Sequence, residues 1–476
     1  MTSAERAYLF RHALLRDAAY QLQLPGDRAR LHGLAFAVVE ELCGGRPPDR
    51  ISSTSKTLEP FVAHPSDSLA EELAEHARVA ESADGASKSK WLLARKIYLH
   101  RAAFHAQKLL HRDSSIHLWH SLAELVEGAN RGKALYFAGS VEFDAGRNDE
   151  AEKSLRQALA LCHGADTRSL ECRSLRLLAN LLRETGRPDK TEHLYSRALT
   201  ICREAGLRSE EGMVLASMAL QFTETRRFVE AEEALEHARI IQRELGNRWD
   251  EGIVMSNFAT LYSSMGRTAE EERALAEAAR IHSETGNLFH VGRVLTQLGG
   301  VYWKSGRFQL AEVTLESALD AWQKSGFRRK EGPARLYLSF VYGKTDRVAL
   351  REGQLRQALS ISQEFSDPDL EARVLTNMGD LYLGTGREAA AEELLKLALS
   401  FHKRTGDRRF ACYSLCNLAR CYLALGRIRE ATDAWRQAAV LIGDPLLQTD
   451  RPIITRELRD SCAKAGVPPF EGLSDT

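Results

Sequence analysis

The sequence predicts an all-α array of repeated helix pairs, on three observations. Gly-Arg pairs stand at Gly146-Arg147, Gly186-Arg187, Gly266-Arg267, Gly306-Arg307, Gly386-Arg387 and Gly426-Arg427, always 40 residues or a multiple of 40 apart, with Arg226-Arg227 and Asp346-Arg347 in the two remaining places. Alanine recurs without exception at Ala158, Ala198, Ala238, Ala278, Ala318, Ala358, Ala398 and Ala438. A small residue recurs at Gly139, Ala179, Ala219, Ala259, Gly299, Ser339, Gly379 and Ala419, and three residues on an aromatic one, from Phe222 through Tyr262, Tyr302, Tyr342 and Tyr382 to Tyr422. A fixed period of this length marks stacked supersecondary units.

Along the chain, residues 1–43 read as a pair of amphipathic helices, Glu5 to Gln23 and Asp27 to Leu42, broken at Pro25-Gly26. Residues 44–68 are polar and turn-rich, with Pro47, Pro48, Pro60 and Pro65, and read as a linker or long loop. Residues 69–128 lack the 40-residue ladders and read as irregular helical cap repeats over Leu69–Glu81, Ser89–Leu110 and Ser114–Val126. Eight 40-residue units fill 129–444. In the unit near Asn287, Val291, Val294, Leu295, Leu298, Val301 and Tyr302 recur at helical spacing. Gly306 ends that helix, since glycine takes the left-handed cap conformation most residues avoid. The second helix carries Ala311, Leu315, Ala318 and Leu319 and ends near Gly326. Small residues let the two helices approach closely, and the aromatic ladder, with Tyr302 in the core, fills the wedge between neighbouring units. Residues 445–476 hold a capping helix, Ile453 to Ala465, that covers the last apolar surface.

The composition narrows the function. The chain has 476 residues, 44% hydrophobic and 27% charged, a balance that excludes disorder throughout. Lys+Arg and Asp+Glu are both 65, so no whole-chain positive field draws nucleic acid. There is no apolar run of the ~18 residues that a membrane helix needs, and Met1 to Arg11 lacks the apolar core of a secretory signal. Eight cysteines without framework spacing read as reduced thiols in a cytoplasmic protein.

Leu298-Gly299, Tyr302, Ala311, Leu315 and Ala318 resemble the tetratricopeptide repeat in residue type and spacing. The 40-residue form is similar to the longer variant of bacterial regulators and polarity-scaffold proteins. The resemblance covers about Ala129 to Asp444 and implies a right-handed superhelical solenoid with a concave groove, capped by the amino-terminal helices. Leu9 to Tyr20, Arg28 to Leu42 and Leu73 to Ser82 resemble the segment that joins the ATPase module to helical repeats in STAND-type signal-transduction ATPases, including LuxR-type regulators. The ATPase itself is missing: no GxxxxGK[ST] loop occurs, and Gly128 to Lys133 has the wrong glycine spacing, followed by Ala134. The resemblance is therefore to the sensor half alone, as a fragment or a stand-alone relative.

Catalytic motifs are absent: there is no GxSxG, HExxH or CxxC. Cys412, Cys416 and Cys421 read as small buried residues at repeat positions, and His100, His105, His111, His117 and His120 as surface and packing residues without ligand spacing. No metal, cofactor or catalytic residue is expected.

The family resemblance also supplies a phase for the groove. Residues six, three and two before Gly299, and one and four after it, would face the concave side. This phase selects an amide series, Asn257, Gln297, Asn377 and Asn417 with Asn180 nearby, and a basic series, Lys133, Arg173, Arg293 and Arg373. Its aromatic members are Tyr136, Phe143, Trp303, Phe340 and Tyr413. An amide can pair with both polar groups of an extended backbone, and arginine supplies bidentate donors for a carboxylate. The expected function is a non-catalytic scaffold or sensor. It would bind a protein or peptide partner in the groove and regulate a separately encoded effector enzyme or ATPase. The alternative is the detached regulatory region of a STAND-type transcription activator, and an unrecognised enzyme is the third class.

Overall fold

The computed structural model describes residues 20, 23–49, 61–81, 88–443, 447, 451–471 and 473. The expected helix over Glu5 to Gln23 and residues 50–60 of the expected linker lie essentially outside them. Every regular element among the described residues is helical, and no helix there is long and apolar enough to cross a membrane. The chain divides into two units, 1–247 and 248–476.

Unit 1 opens with α1 (Pro25–Leu42), whose Pro25 sits at the first helical position, where a missing N–H costs nothing. It packs on α2 (Ala70–Ala80) and α3 (Lys88–Lys108), with Phe36 edge-on between Trp91 and Tyr98. The last part of the expected linker is fixed rather than loose. A 3₁₀ turn over Pro65–Leu69 is capped reciprocally by His64 and Asp67, and the buried Arg101 Nε donates to Asp67 at 2.6 Å. Then follow α4 (Arg112–Leu125) and three pairs in the 40-residue register: α5 (Gly128–Asp144) with α6 (Asn148–Ala160), α7 (Arg168–Glu184) with α8 (Thr191–Glu204), and α9 (Arg208–Glu224) with α10 (Phe228–Glu244).

Unit 2 holds five more pairs: α11 (Arg248–Ser264) with α12 (Thr268–Glu284), α13 (Leu288–Lys304) with α14 (Phe308–Ser325), α15 (Arg328–Lys344) with α16 (Val348–Glu364), α17 (Pro368–Gly384) with α18 (Glu388–Thr405), and α19 (Arg408–Ala424) with α20 (Ile428–Ile442). The closing helix α21 (Arg451–Lys464) packs on α19 and keeps the register: Gly466, at φ +69°, stands 40 residues after Gly426.

The ladders have separate jobs. Every ladder alanine from Ala158 to Ala438 is fully buried. Each glycine of the small ladder makes room for a leucine on the second helix of its own pair: a Cβ on Gly299 would lie 2.5 Å from Leu315 Cγ, and one on Gly379 2.5 Å from Leu395 Cγ. Gly306 closes α13 at φ +75°, with Arg307 N–H donating to Tyr302 O at 2.9 Å. Arg226 and Asp346 take the same left-handed conformation with a Cβ, at φ 60° and 53°.

The arginine of each Gly-Arg pair has a role that the sequence reading did not assign. Arg227, Arg267, Arg307, Arg347, Arg387 and Arg427 each lie over the ladder aromatic five residues earlier, 3.8–4.6 Å from the ring centroid. Most also reach back to the second helix of the preceding pair: Arg307 meets Glu272 at 2.6 Å, Arg347 Glu312 at 2.7 Å and Arg427 Glu392 at 2.7 Å. Each contact is weak at such exposure, but its repetition ties pair to pair. Tyr302 is accordingly half-buried beneath Arg307, not core as expected.

A second small ladder escaped the sequence reading. Gly212, Gly252 and Gly292 face Gln242, His282 and Trp322, with Cβ positions only 2.5–2.6 Å from those side chains. At the same two positions in α7 and α8, Cys172 and Cys202 form a disulfide. The expectation of wholly reduced thiols fails at this pair, because positions 30 residues apart meet inside each repeat.

The same position shapes acid stability. His282 is buried and stacks on His290 at 4.7 Å. Burial first, then the Arg293 charge, push His282 down to about 4 and His290 to about 3, with His282 also acting on His290. Both rings stay neutral in the fold, whereas an unfolded chain takes up protons near pH 6.5. Stability contributed by these neutral rings is therefore complete above pH 6.5 and is lost as the pH falls towards 4. In the unit 120 residues on, His402 stacks on Phe410 instead. His290→Phe is expected to reduce the drop in melting temperature between pH 7 and pH 4.5, and an unchanged drop would remove His290 from the explanation.

Candidate functional site

The packing of the first helices defines their free side. In α13, Gly292, Thr296 and Gly299 face α14: Trp322 Nε1 donates to Thr296 Oγ1 at 3.2 Å, and Leu315 fills the gap at Gly299. Ser256 and Thr376, at the position of Thr296, meet His282 and His402 in the same way. The position three before Gly299 thus points into its own pair, not into a groove, and Tyr136, which occupies it in α5, is buried. That correction follows from helix geometry, since residues three apart share a face. Gln297, roughly opposite Gly299 on the helix, is exposed.

Unit 1 carries five of the residues that the phase selects: Lys133 and Phe143 are half-buried, Tyr136 is buried, and Arg173 and Asn180 are engaged. Arg173 Nε donates to Glu210 at 2.6 Å, joining α7 to α9, and Asn180 Oδ1 accepts from Tyr195 Oη at 2.6 Å.

Unit 2 carries the others. Asn257 and Asn417 are buried, Asn377 is half-buried and Gln297 is exposed. Asn377 Nδ2 donates to Arg373 O at 2.7 Å within α17, leaving Asn377 Oδ1 for another donor. Asn417 Oδ1 accepts from Arg420 at 2.8 Å. The arginines do not stand in one open row with the amides. Arg293 Nη2 lies 3.1 Å from His290 Nδ1, and burial lowers the Arg293 guanidinium from its ordinary value. Arg373 lies over the Phe410 ring at 5.0 Å, and Tyr413 tilts against the same ring at 5.9 Å. Trp303 meets Phe340 at 5.1 Å.

Sequence reasoning missed a charged cluster on α16, α17 and α19. Asp380 accepts from Arg351 at 2.9 Å and from Arg420 at 3.0 Å, and Arg420 also meets Glu457 of α21 at 3.2 Å. Burial alone would raise the Asp380 carboxyl, but the two guanidinium charges and their hydrogen bonds hold it below its ordinary value. The signal was present: Asp380 and Arg420 stand one residue after the small ladder, and Arg351 interrupts an alanine position. The cysteines Cys412, Cys416 and Cys421 are buried, and no group of side chains suited to a metal ion occurs among the described residues. His100 packs edge-on against Phe104 and Trp119, and His120 pairs with Glu142 at 2.7 Å.

The tetratricopeptide repeat family model matches residues 130–204 and 370–439. No curated protein matches the chain. Among solved structures, the fold is similar to a STAND protein with a tetratricopeptide repeat sensor from Pyrococcus horikoshii, with TM-score 0.58 and 12% identity, over 93% of this chain and 67% of that one. It is also similar to the apo quorum sensor NprR of B. thuringiensis, with TM-score 0.52 and 13% identity, over 76% of this chain and 100% of that one. A third is aspartyl phosphate phosphatase F of Bacillus subtilis, with TM-score 0.50 and 11% identity, over 82% and 97%. The helix pairs, their 40-residue register and the two matched stretches together identify the chain as one that carries tetratricopeptide repeats and, in its sequence, no phosphate-loop ATPase.

Proposed function

We propose that the protein is a non-catalytic scaffold that binds an extended protein or peptide segment along the free side of its first helices and regulates an associated effector. The observation that carries this reading is the amide series of unit 2. Asn257, Gln297, Asn377 and Asn417 occupy one repeat position on the side away from the second helices, where the close packing of the pairs does not require an amide. Two successive pairs carry an amide there on either side of Tyr337, and an amide side chain can pair with the polar groups of an extended backbone. The partner is a protein or peptide rather than a nucleic acid, since the formal charge is zero.

A second reading, the regulatory region of a STAND-type transcription activator, is supported by the sequence of Arg28 to Leu42 and Leu73 to Ser82 and by the similarity in fold to the STAND sensor protein. It needs a separate DNA-binding module.

The test is a pull-down from the source cell with the whole chain, followed by mass spectrometry and by competition with overlapping synthetic peptides of the captured partner. One short segment is expected to displace the partner. A partner that no segment displaces would contradict recognition of an extended peptide.

A further inference from the structure

In unit 2 several departures from the repeat pattern converge around one side chain. Position 351 corresponds to the buried alanines Ala311, Ala391 and Ala431 of other pairs in unit 2, and to Glu271 in α12. It holds Arg351 instead. The space for this side chain comes from a second departure: Gly343 stands where the adjacent units have Trp303 and Leu383, and a Cβ on Gly343 would lie 3.2 Å from Arg351 Nε. The arginine therefore leaves the second helix, α16, passes Gly343 and meets Asp380 of the next first helix at 2.9 Å. Its Nε is buried and has no partner among the described residues, and its side chain remains 16% exposed. A well-packed repeat gains nothing from exchanging a buried alanine for a charge, so the exchange points to function.

One turn before Gly343 on α15, Phe340 meets two further aromatic rings. Trp303 lies 5.1 Å from Phe340 and 6.3 Å from Tyr337, and Tyr337 lies 5.8 Å from Phe340. All three are half-buried. They come from three different repeat positions, which the next unit fills with Leu383, Asn377 and Asp380. No single ladder explains them. Gly300 leaves the room they need, since a Cβ there would lie 3.1 Å from Tyr337 Cζ.

We propose that this face of unit 2 is a two-part subsite, with Trp303, Tyr337 and Phe340 taking an aromatic side chain and Arg351 an adjacent carboxylate. The bound segment then carries an aromatic residue next to an acidic one. This inference rests on the peptide-binding reading above and adds the chemistry of the ligand. Charge complementarity sets the sign. Asp380 is shared between Arg351 and Arg420, while Lys304 and Lys344, one residue on from Trp303 and Gly343, are exposed. Glu457 offsets one of these charges. An incoming carboxylate meets cations in excess and the exposed part of the Arg351 side chain. The aromatic part contributes edge and face contacts of the kind the trio already makes among itself.

The experiment is selection from a display library of nine-residue peptides, randomised at every position, on the whole chain and on its Arg351→Ala, Trp303→Ala and Phe340→Ala variants. Arg351→Ala installs the residue that the repeat itself uses, so it should fold as the wild type does. The wild type is expected to enrich an aromatic residue beside Asp or Glu. Arg351→Ala is expected to keep the aromatic preference, lose the acidic one and bind the selected peptide at least about tenfold more weakly. Trp303→Ala and Phe340→Ala are expected to lose the aromatic preference. Selected peptides without this pair, or unchanged affinity in Arg351→Ala, would overturn the subsite. If such peptides still lose affinity in Asn377→Ala, the peptide-binding face stands and only the subsite falls. A library that yields no binder, or binders indifferent to every substitution, counts against both.

Discussion

Gly292→Leu is expected to destabilise unit 2 by about 3 kcal/mol, at the upper end of what overpacking costs. Even its Cβ would come within 2.6 Å of Trp322 Cδ2 and 2.7 Å of Cε2. That ring cannot swing aside: it is buried, meets Phe289 edge-on at 5.4 Å and donates to Thr296. Trp322→Ala alone should cost about 3–5 kcal/mol by leaving a cavity. The two changes should offset each other, so the double variant should unfold at a higher denaturant concentration than the sum of the single effects requires. Strict additivity would mean that the glycine is not there to admit the indole. Ala318→Leu, in the fully buried alanine ladder, should cost about 1–3 kcal/mol by the same overpacking.

Asn257→Ala and Asn377→Ala should each weaken binding of a partner peptide about 5- to 150-fold, the loss of one hydrogen bond to a desolvated backbone at about 1–3 kcal/mol. Asn377 Nδ2 is already bonded to Arg373 O, so its Oδ1 is the atom that serves the ligand, accepting a backbone N–H. Asn377→Asp keeps an acceptor and should therefore weaken binding less than Asn377→Ala does. Arg373→Ala, which removes a cation from above Phe410, should weaken acidic ligands more than neutral ones. Fluorescence titration with variants that melt as the wild type does would measure these effects. Wild-type affinity in all three alanine variants would exclude this face as the site.

Much of the fold was legible because stacking forces identical contacts at identical positions. The Gly299 ladder named its own cause, a close approach to Leu315, and each Gly-Arg pair marked a left-handed cap at the end of a first helix. The arginine was readable too. Glu152, Glu192, Glu232, Glu272, Glu312, Glu352 and Glu392 form an uninterrupted ladder, several of whose members receive it. The buried position opposite Gly292 was harder to see. It is filled by Cys202, Gln242, His282, Trp322 and His402, which share no chemistry, only volume matched to a small residue across the pair. The phase set for the candidate site fails at the position three before Gly299, which points into its own pair. A helix pattern places Arg293 and Arg373 on the free side, yet His290, one turn earlier on α13, and Phe410, on the neighbouring first helix α19, decide where the guanidinium groups lie. Arg351 was not legible from the ladders, because it breaks one rather than belonging to it.

Photo-crosslinking from two positions tests the central claim most directly. A benzophenone amino acid placed at Gln297 stands on the free side of α13, and one placed at Val313 stands exposed on the second helix of the same pair. Neither side chain is buried in the helix packing, so both proteins should fold. The account predicts that a captured partner, or its competing peptide, crosslinks from position 297 and not from position 313. Crosslinking from position 313 alone would place the partner on the second helices and contradict it.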